Sequence, residues 1–515
     1  MTNDRDDMPP TTAFIPDLLY DGVRFRRGRA LVCDAAGRVA SVARADGLPE
    51  GVEAVRLAGR ALLPGMVNAH SHAFQRVIRG RTERRGARAS DSFWTWREEM
   101  YAAAGRLAPE DVYDASRMAF MEMALGGVTS VGEFHYLHRA PDGSEYDDPN
   151  LLAREVVRAA RDVGLRIALL RVAYARAGFG KEPDPRQRRF IEPDPETYLR
   201  HADALARDLA ARAGGGGGAP AAAWAGVAPH SVRAVAVGYL REVGAFARER
   251  GLPLHMHVAE QPAEVEACLA ETGRTPVMLL ADEGLLAPNF TGVHAVHVTP
   301  PEVARLAAAG ACVCACPTTE RNLGDGVVPA DALLGAGVPV ALGTDSHAQI
   351  DLLEDARELE YHLRLTTLRR NVLAPSAGDE DGAGGGRAGD SGGRGADDSG
   401  GRATSALAAR LFECATGAGA RSIGADAGSF EPGRAADFFT VDLDDPSVAG
   451  ACAEDLLPAI VFSLTRAAVR DTAVGGRLVV ESGRHAAQSE IVSRFAALQR
   501  KLWGGTRDEG LSADD

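Results

Sequence analysis

Between Ala61 and about residue 350 the chain repeats one pattern eight times: a short apolar run, then a longer stretch with helical spacing. The runs are ALLPGMVNAHSH, GVTSVGEF, LRIALLRVAY, AWAGVAPHSV, LPLHMHVAE, TGVHAVHV, ACVCACP and VPVALGTDS, and segments such as PEDVYDASRMAFMEMAL lie between them. Strands that alternate with amphipathic helices form parallel β/α units, because parallel neighbours need a long crossover. Eight such units are what a closed barrel requires. The spacing therefore predicts a (β/α)8 TIM-like barrel over residues 61–425.

The flanks read differently. Residues 12–60, with YDGVRFRRGRALVCDAAGRVASV, alternate short apolar runs with Gly and Asp turns, and RAADFFTVDL and VGGRLVVESGR return to that texture after residue 430. Both suggest antiparallel strands. The expected organisation is a small β-sandwich domain built from residues 1–60 and 426–490, with a C-terminal helix and tail over 491–515. Two stretches are low in complexity: Gly214 to Gly218 as a flexible loop, and 376–404 as a disordered insert.

Composition excludes several classes. A net charge of −14 argues against nucleic acid and anionic membrane surfaces as partners, though local arginines can still hold a small anion. No apolar run reaches spanning length, and MTNDRDDMPP has no basic-then-apolar leader. Seven scattered cysteines fit reduced thiols rather than a disulfide framework. A cytoplasmic protein is expected. Cys312, Cys314 and Cys316 alternate along one apolar run, which reads as small side chains packed on one strand face rather than a thiolate site.

Ionisable residues gather where the strand candidates end, and in such a barrel those ends form the active site. His70-Ser71-His72 closes the first run; residues two apart share a strand face, so both imidazoles point inward. His255-Met256-His257 closes the fifth, His294 and His297 lie in the sixth, and Asp345 follows the eighth. Three histidines and a carboxylate make a divalent-metal set with a position left for water.

This layout resembles the amidohydrolase superfamily, as do ALLPGMVNAHSH and the turn Gly433 to Asp437. Binuclear members of that superfamily carry a bridging carbamylated lysine on the fourth strand. Here the lysines are Lys181, in the polar loop FGKEPDPRQRR, and Lys501, in the last helix, so the resemblance implies the mononuclear deaminase arrangement. Within that group HSHAFQR, DSFWTWREEMY, GVTSVGEFHYLH, HSVRAV, HMHVAEQ, CPTTERNLGDG and GTDSH resemble the formimidoylglutamate deiminase family over about residues 60–375.

The resemblance implies roles. His70, His72, His257 and Asp345 would hold one divalent metal, zinc or alternatively iron, with His255 supporting the ligands from behind. Glu260 would shuttle protons and His294 would polarise or accept one, with Asp345 orienting the water. An odd separation from His257 would turn Glu260 away in a continuing strand, so the strand should end near His257. Gln75 would hold the formimino group; Arg97, Tyr136, His230 and Arg233 would bind the two carboxylates of a glutamate moiety. Trp94 and Trp96 are expected as walls or core, and Arg171 stands where the family pattern has proline. The implied reaction is hydrolytic deamination of N-formimidoyl-L-glutamate to N-formyl-L-glutamate and ammonia, by a homodimer acting on a small dicarboxylate. The alternative is a related deaminase of an aromatic base or nucleoside such as guanine or a thio-adenosine.

Overall fold

The computed structural model describes residues 11–48, 50–84, 92–213, 218–375 and 405–504. The insert at 376–404 and the glycines at 214–217 lie outside these residues.

All eight expected barrel strands form. They are β1 (Met66–Ser71), β2 (Val128–His135), β3 (Arg166–Ala173), β4 (Ala223–Pro229), β5 (Leu254–Val258), β6 (Phe290–His294), β7 (Cys312–Ala315) and β8 (Val340–Leu342). Each pairs in parallel with its neighbour in sequence, in the order β1 to β8. The sheet closes on itself through a bridge between Ser71 and Asp345. The intervening helices carry their own boundary signals. Pro109–Leu125, Pro195–Ala213 and Pro300–Ala309 open on proline, whose missing N–H costs nothing in a first turn. Leu151–Val163 and Val237–Arg250 end where Gly164 and Gly251 turn left-handed, at φ 94° and 62°.

The flanks meet as one nine-stranded sheet. Glu53–Pro64 runs antiparallel to Phe438–Asp442, pairing Leu62 with Thr440 across the whole barrel's length of sequence. One pair departs from the antiparallel expectation: Thr12–Tyr20 and Glu53–Pro64 are parallel, because the chain after Val39–Arg44 crosses to the far side of Thr12–Tyr20. ALLPGMVNAHSH is likewise two strands. Residues 61–64 finish the flank sheet, and the barrel starts at Met66. The break falls at Gly65, where a Cβ would sit 2.4 Å from the Thr129 side chain and whose N–H donates to Asp437 O at 2.9 Å. Buried Arg166, at the start of β3, pairs with Asp437 at 3.2 Å and with Asp426, tying the small sheet to the barrel floor. The last helix, Gln488–Trp503, lies against Pro109–Leu125 through Arg494–Asp114 at 2.7 Å and Lys501–Asp111 at 2.6 Å.

Candidate active site

The site sits at the C-terminal ends of the barrel strands, and the backbone there is bent to make it. Five non-glycine residues at these ends have positive φ: Ala259, His294, Ala295, Asp345 and His347, between 43° and 71°. L-residues pay for such conformations, and they persist where surrounding structure enforces them. Positive φ at Ala259 ends β5 and swings Glu260 back over the barrel mouth, as its odd separation from His257 required.

The four expected metal ligands converge. His70 Nε2 lies 3.2 Å from both His72 Nε2 and His257 Nε2, and Asp345 Oδ1 is 3.4 and 3.2 Å from the first two. The tautomers explain the clustering. His72 Nδ1 donates to Phe134 O at 2.9 Å and His257 Nδ1 donates to His230 O at 3.1 Å, so the Nε2 atoms of these two rings are bare lone pairs. Burial lowers the His70 pKa to about 3 and holds His257 well below its ordinary range, so these rings stay neutral. Buried lone pairs crowded around one point suit only a cation. A tetrahedral ion with bonds of about 2.0–2.1 Å would space its ligands about 3.3–3.4 Å apart, which these separations match. His70, His72, His257 and Asp345 therefore form a metal site.

His255 does not support these ligands. Its Nε2 donates to Ser422 O at 2.9 Å, bracing helix Gly417–Ile423 instead. Support comes from Glu133, whose carboxylate accepts from Ser71 Oγ at 2.5 Å and Ala73 N at 2.7 Å and so pins the turn between His70 and Ala73. Lys181 is exposed and Lys501 pairs with Asp111, so neither approaches the ligands.

Above the ligands His294 Nε2 faces Glu260 Oε1 at 3.6 Å and Asp345 Oδ2 at 3.8 Å, while its Nδ1 meets Glu320 Oε1 at 3.2 Å. Burial disfavours charge on His294, but Glu260, Glu320 and Asp345 together override it and raise its pKa well above the ordinary range. Burial pushes the Glu260 carboxyl up, opposed by His294 and reinforced by Asp345. His297, expected beside His294, lies past the end of β6, and its Nε2 donates to Asp325 O at 2.8 Å. Cys316 caps the helix after β7 and gathers with His294 and Glu320. Its N–H donates to the same Glu320 oxygen at 2.8 Å, so Oε1 is shared between Cys316 N and His294 Nδ1.

A cavity opens over this floor, and every expected substrate-binding residue lines it: Gln75, Arg97, Tyr136, His230 and Arg233. Gln75 Nε2 donates to Tyr136 OH at 2.7 Å, leaving Oε1 buried without a partner. Arg97 and Arg233 each hold a buried Nη1 with no acceptor. Arg97 lies over the Trp94 ring at 4.5 Å, so Trp94, 40% exposed, covers a guanidinium rather than joining the core; Trp96 lines the cavity. Arg171 is instead fully buried behind the pocket, donating to Asn150 and Glu192 at 2.9 Å each.

Sequence reasoning passed over Tyr101, Tyr174 and Gln187. Tyr101 lies four residues after Arg97 on helix Phe93–Ala104, hence on the same face, and Tyr174 follows the end of β3. Both carried a readable signal. Gln187, in the polar loop PDPRQRR, carried none.

The sequence model described as amidohydrolase family matches residues 61–479. The chain is 37% identical over 491 residues to formimidoylglutamate deiminase of Pseudomonas aeruginosa, covering 95% of this chain and 98% of that protein. It is 29% identical over 476 residues to a 5-methylthioadenosine/S-adenosylhomocysteine deaminase of Halobacterium salinarum, covering 92% and 93%. Among solved structures it resembles an amidohydrolase from Brucella melitensis, with a TM-score of 0.81, 32% identity, and 96% and 100% of the two chains covered.

Proposed function

The chain belongs to the amidohydrolase family and is a hydrolase of carbon–nitrogen bonds, and from that premise we propose that it deaminates N-formimidoyl-L-glutamate to N-formyl-L-glutamate and ammonia. One observation carries the substrate class. Two guanidinium groups, Arg97 and Arg233, reach the cavity with buried Nη1 donors that no protein acceptor takes up. A buried, unpaired charged donor is costly, and a ligand with two carboxylates supplies the acceptors. An aromatic base, the second reading, offers neutral ring acceptors but no carboxylate to balance the two buried charges.

The residues divide the work. The substrate carboxylates lie at Arg97 and Arg233, with Tyr136 and His230 on the same wall. Gln75 Oε1, its amide fixed by Tyr136, accepts from the formimino N–H. His70, His72, His257 and Asp345 would hold a divalent ion, zinc by this nitrogen-rich donor set, and that ion would supply Lewis acidity for a water nucleophile. Asp345 Oδ2, turned toward His294, accepts a hydrogen bond from the nucleophile. Glu260 takes its proton and delivers one to the departing nitrogen, so ammonia leaves rather than an amide anion. His294, held by Glu320, stabilises charge that develops beside Glu260.

Ammonia release is the test. Purified protein given N-formimidoyl-L-glutamate, guanine and 5′-methylthioadenosine should release ammonia from the first, and preference for either ring substrate would overturn the proposal.

A further inference from the structure

Gln187 is buried, 1% exposed, on the short turn Pro185–Gln187. Its Oε1 accepts from the Asp184 backbone N–H at 3.4 Å, which orients the amide. Its Nε2 then donates to Tyr101 OH at 2.7 Å and to Tyr174 OH at 2.9 Å. Both phenols line the cavity beside Arg97 and Arg233. The Arg97 guanidinium lies 5.5 Å from the Tyr101 ring centroid.

A phenol can donate or accept, so a lone tyrosine does not set the polarity of a pocket. Here each phenol oxygen already accepts an N–H from one amide. The two phenols also interact with each other, so one proton can be used between them; the other must point outward. With an acceptor-only ligand both can.

We propose that Gln187 is a positioning residue that commits Tyr101 and Tyr174 to donate, making this corner, with its two arginines, a receptor for a carboxylate and against a carboxamide. The inference rests on the dicarboxylate reading above and names the residue that enforces it. The reverse polarity should follow from Gln187→Glu. A carboxylate there accepts both phenol protons and turns phenol lone pairs toward the ligand, where they match an amide N–H instead.

The test is calorimetric binding of N-formyl-L-glutamate and of its two mono-amides, N-formyl-L-glutamine and N-formyl-L-isoglutamine, to wild type and Gln187→Glu. Wild type should bind the dicarboxylate at least about tenfold more tightly than one of the amides, and Gln187→Glu should bring that ratio to within about threefold of unity. Gln187→Met, which neither donates nor accepts strongly, should lose part of the preference and gain nothing toward the amide. A ratio unchanged in Gln187→Glu, no preference in wild type, or loss of folding in both variants overturns the proposal. Ammonia release from N-formimidoyl-L-glutamate by wild type is measured alongside; its absence defeats the proposed reaction while the binding ratio still judges Gln187.

Discussion

The backbone N–H of Asp345 donates to the carbonyl oxygen of His70 at 3.0 Å, and the Asp345 carbonyl accepts from His72 N at 3.1 Å. These bonds close the barrel between β8 and β1. The seam that completes the fold is therefore the seam that brings the carboxylate to the imidazoles, and neither can be misplaced without the other.

His257 comes from β5, opposite that seam, so its loss should empty the metal site without opening the barrel. His257→Ala is expected to fall from about one metal per chain to near none and to lose activity in proportion. Elemental analysis beside circular dichroism checks this; a folded, metal-loaded and active variant would contradict the ligand assignment.

Glu260→Gln keeps volume and hydrogen bonding but cannot carry a proton. Metal content and melting temperature should hold while kcat falls by about 10²–10⁴. A near wild-type kcat would remove Glu260 from the reaction.

Arg97→Met or Arg233→Met should weaken the dicarboxylate by on the order of 1.5–3 kcal/mol, about tenfold to a hundredfold in kcat/KM. N-formimidoyl-glycine, with one carboxylate fewer, should be less affected by at least one of the two changes. Arg→Lys restores only part, since an ammonium lacks the planar fork. Equal discrimination in both mutants would make the arginines structural.

Arg171 and Glu192 form a buried ion pair at 2.9 Å, with His201 Nδ1 3.3 Å from the second oxygen. Arg171→Met leaves a buried carboxylate short of its main partner and should cost on the order of 3–5 kcal/mol. Removing both charges, as Arg171→Met with Glu192→Gln, should recover part of that in urea denaturation. A double mutant no better than the single would mean that packing, not charge, sets the loss.

Burial raises the Glu264 carboxyl to about 7, opposed by Arg233 and reinforced by Glu260. A folded pKa above the unfolded one means the native state holds the proton more tightly, so this group's contribution is full at low pH and declines as pH rises from the ordinary carboxylate range through about 7. Glu264→Gln, fixed neutral, should raise the melting temperature relative to wild type above pH 8 and change it little at pH 5. The same difference at both values would refute the titration.

How much of this was legible in advance follows from the range over which each signal acts. Period and spacing are local, so the eight strand–helix units, the inward pair His70 and His72, and the break after His257 that frees Glu260 could be read from neighbouring residues. Amide geometry at Gly65 and the parallel crossing of Thr12–Tyr20 could not, because they depend on Thr129, Asp437 and a strand edge far away in sequence. The same holds for choosing between His255 and His257: both have the same parity on one strand, and only the distance along the barrel axis assigns one to the metal and the other to Ser422. Gln187 is the limiting case. Nothing in a polar loop marks it, since its meaning is set by Tyr101 and Tyr174, brought from two other elements, and hydrogen-bond polarity is a property of that meeting rather than of any one residue.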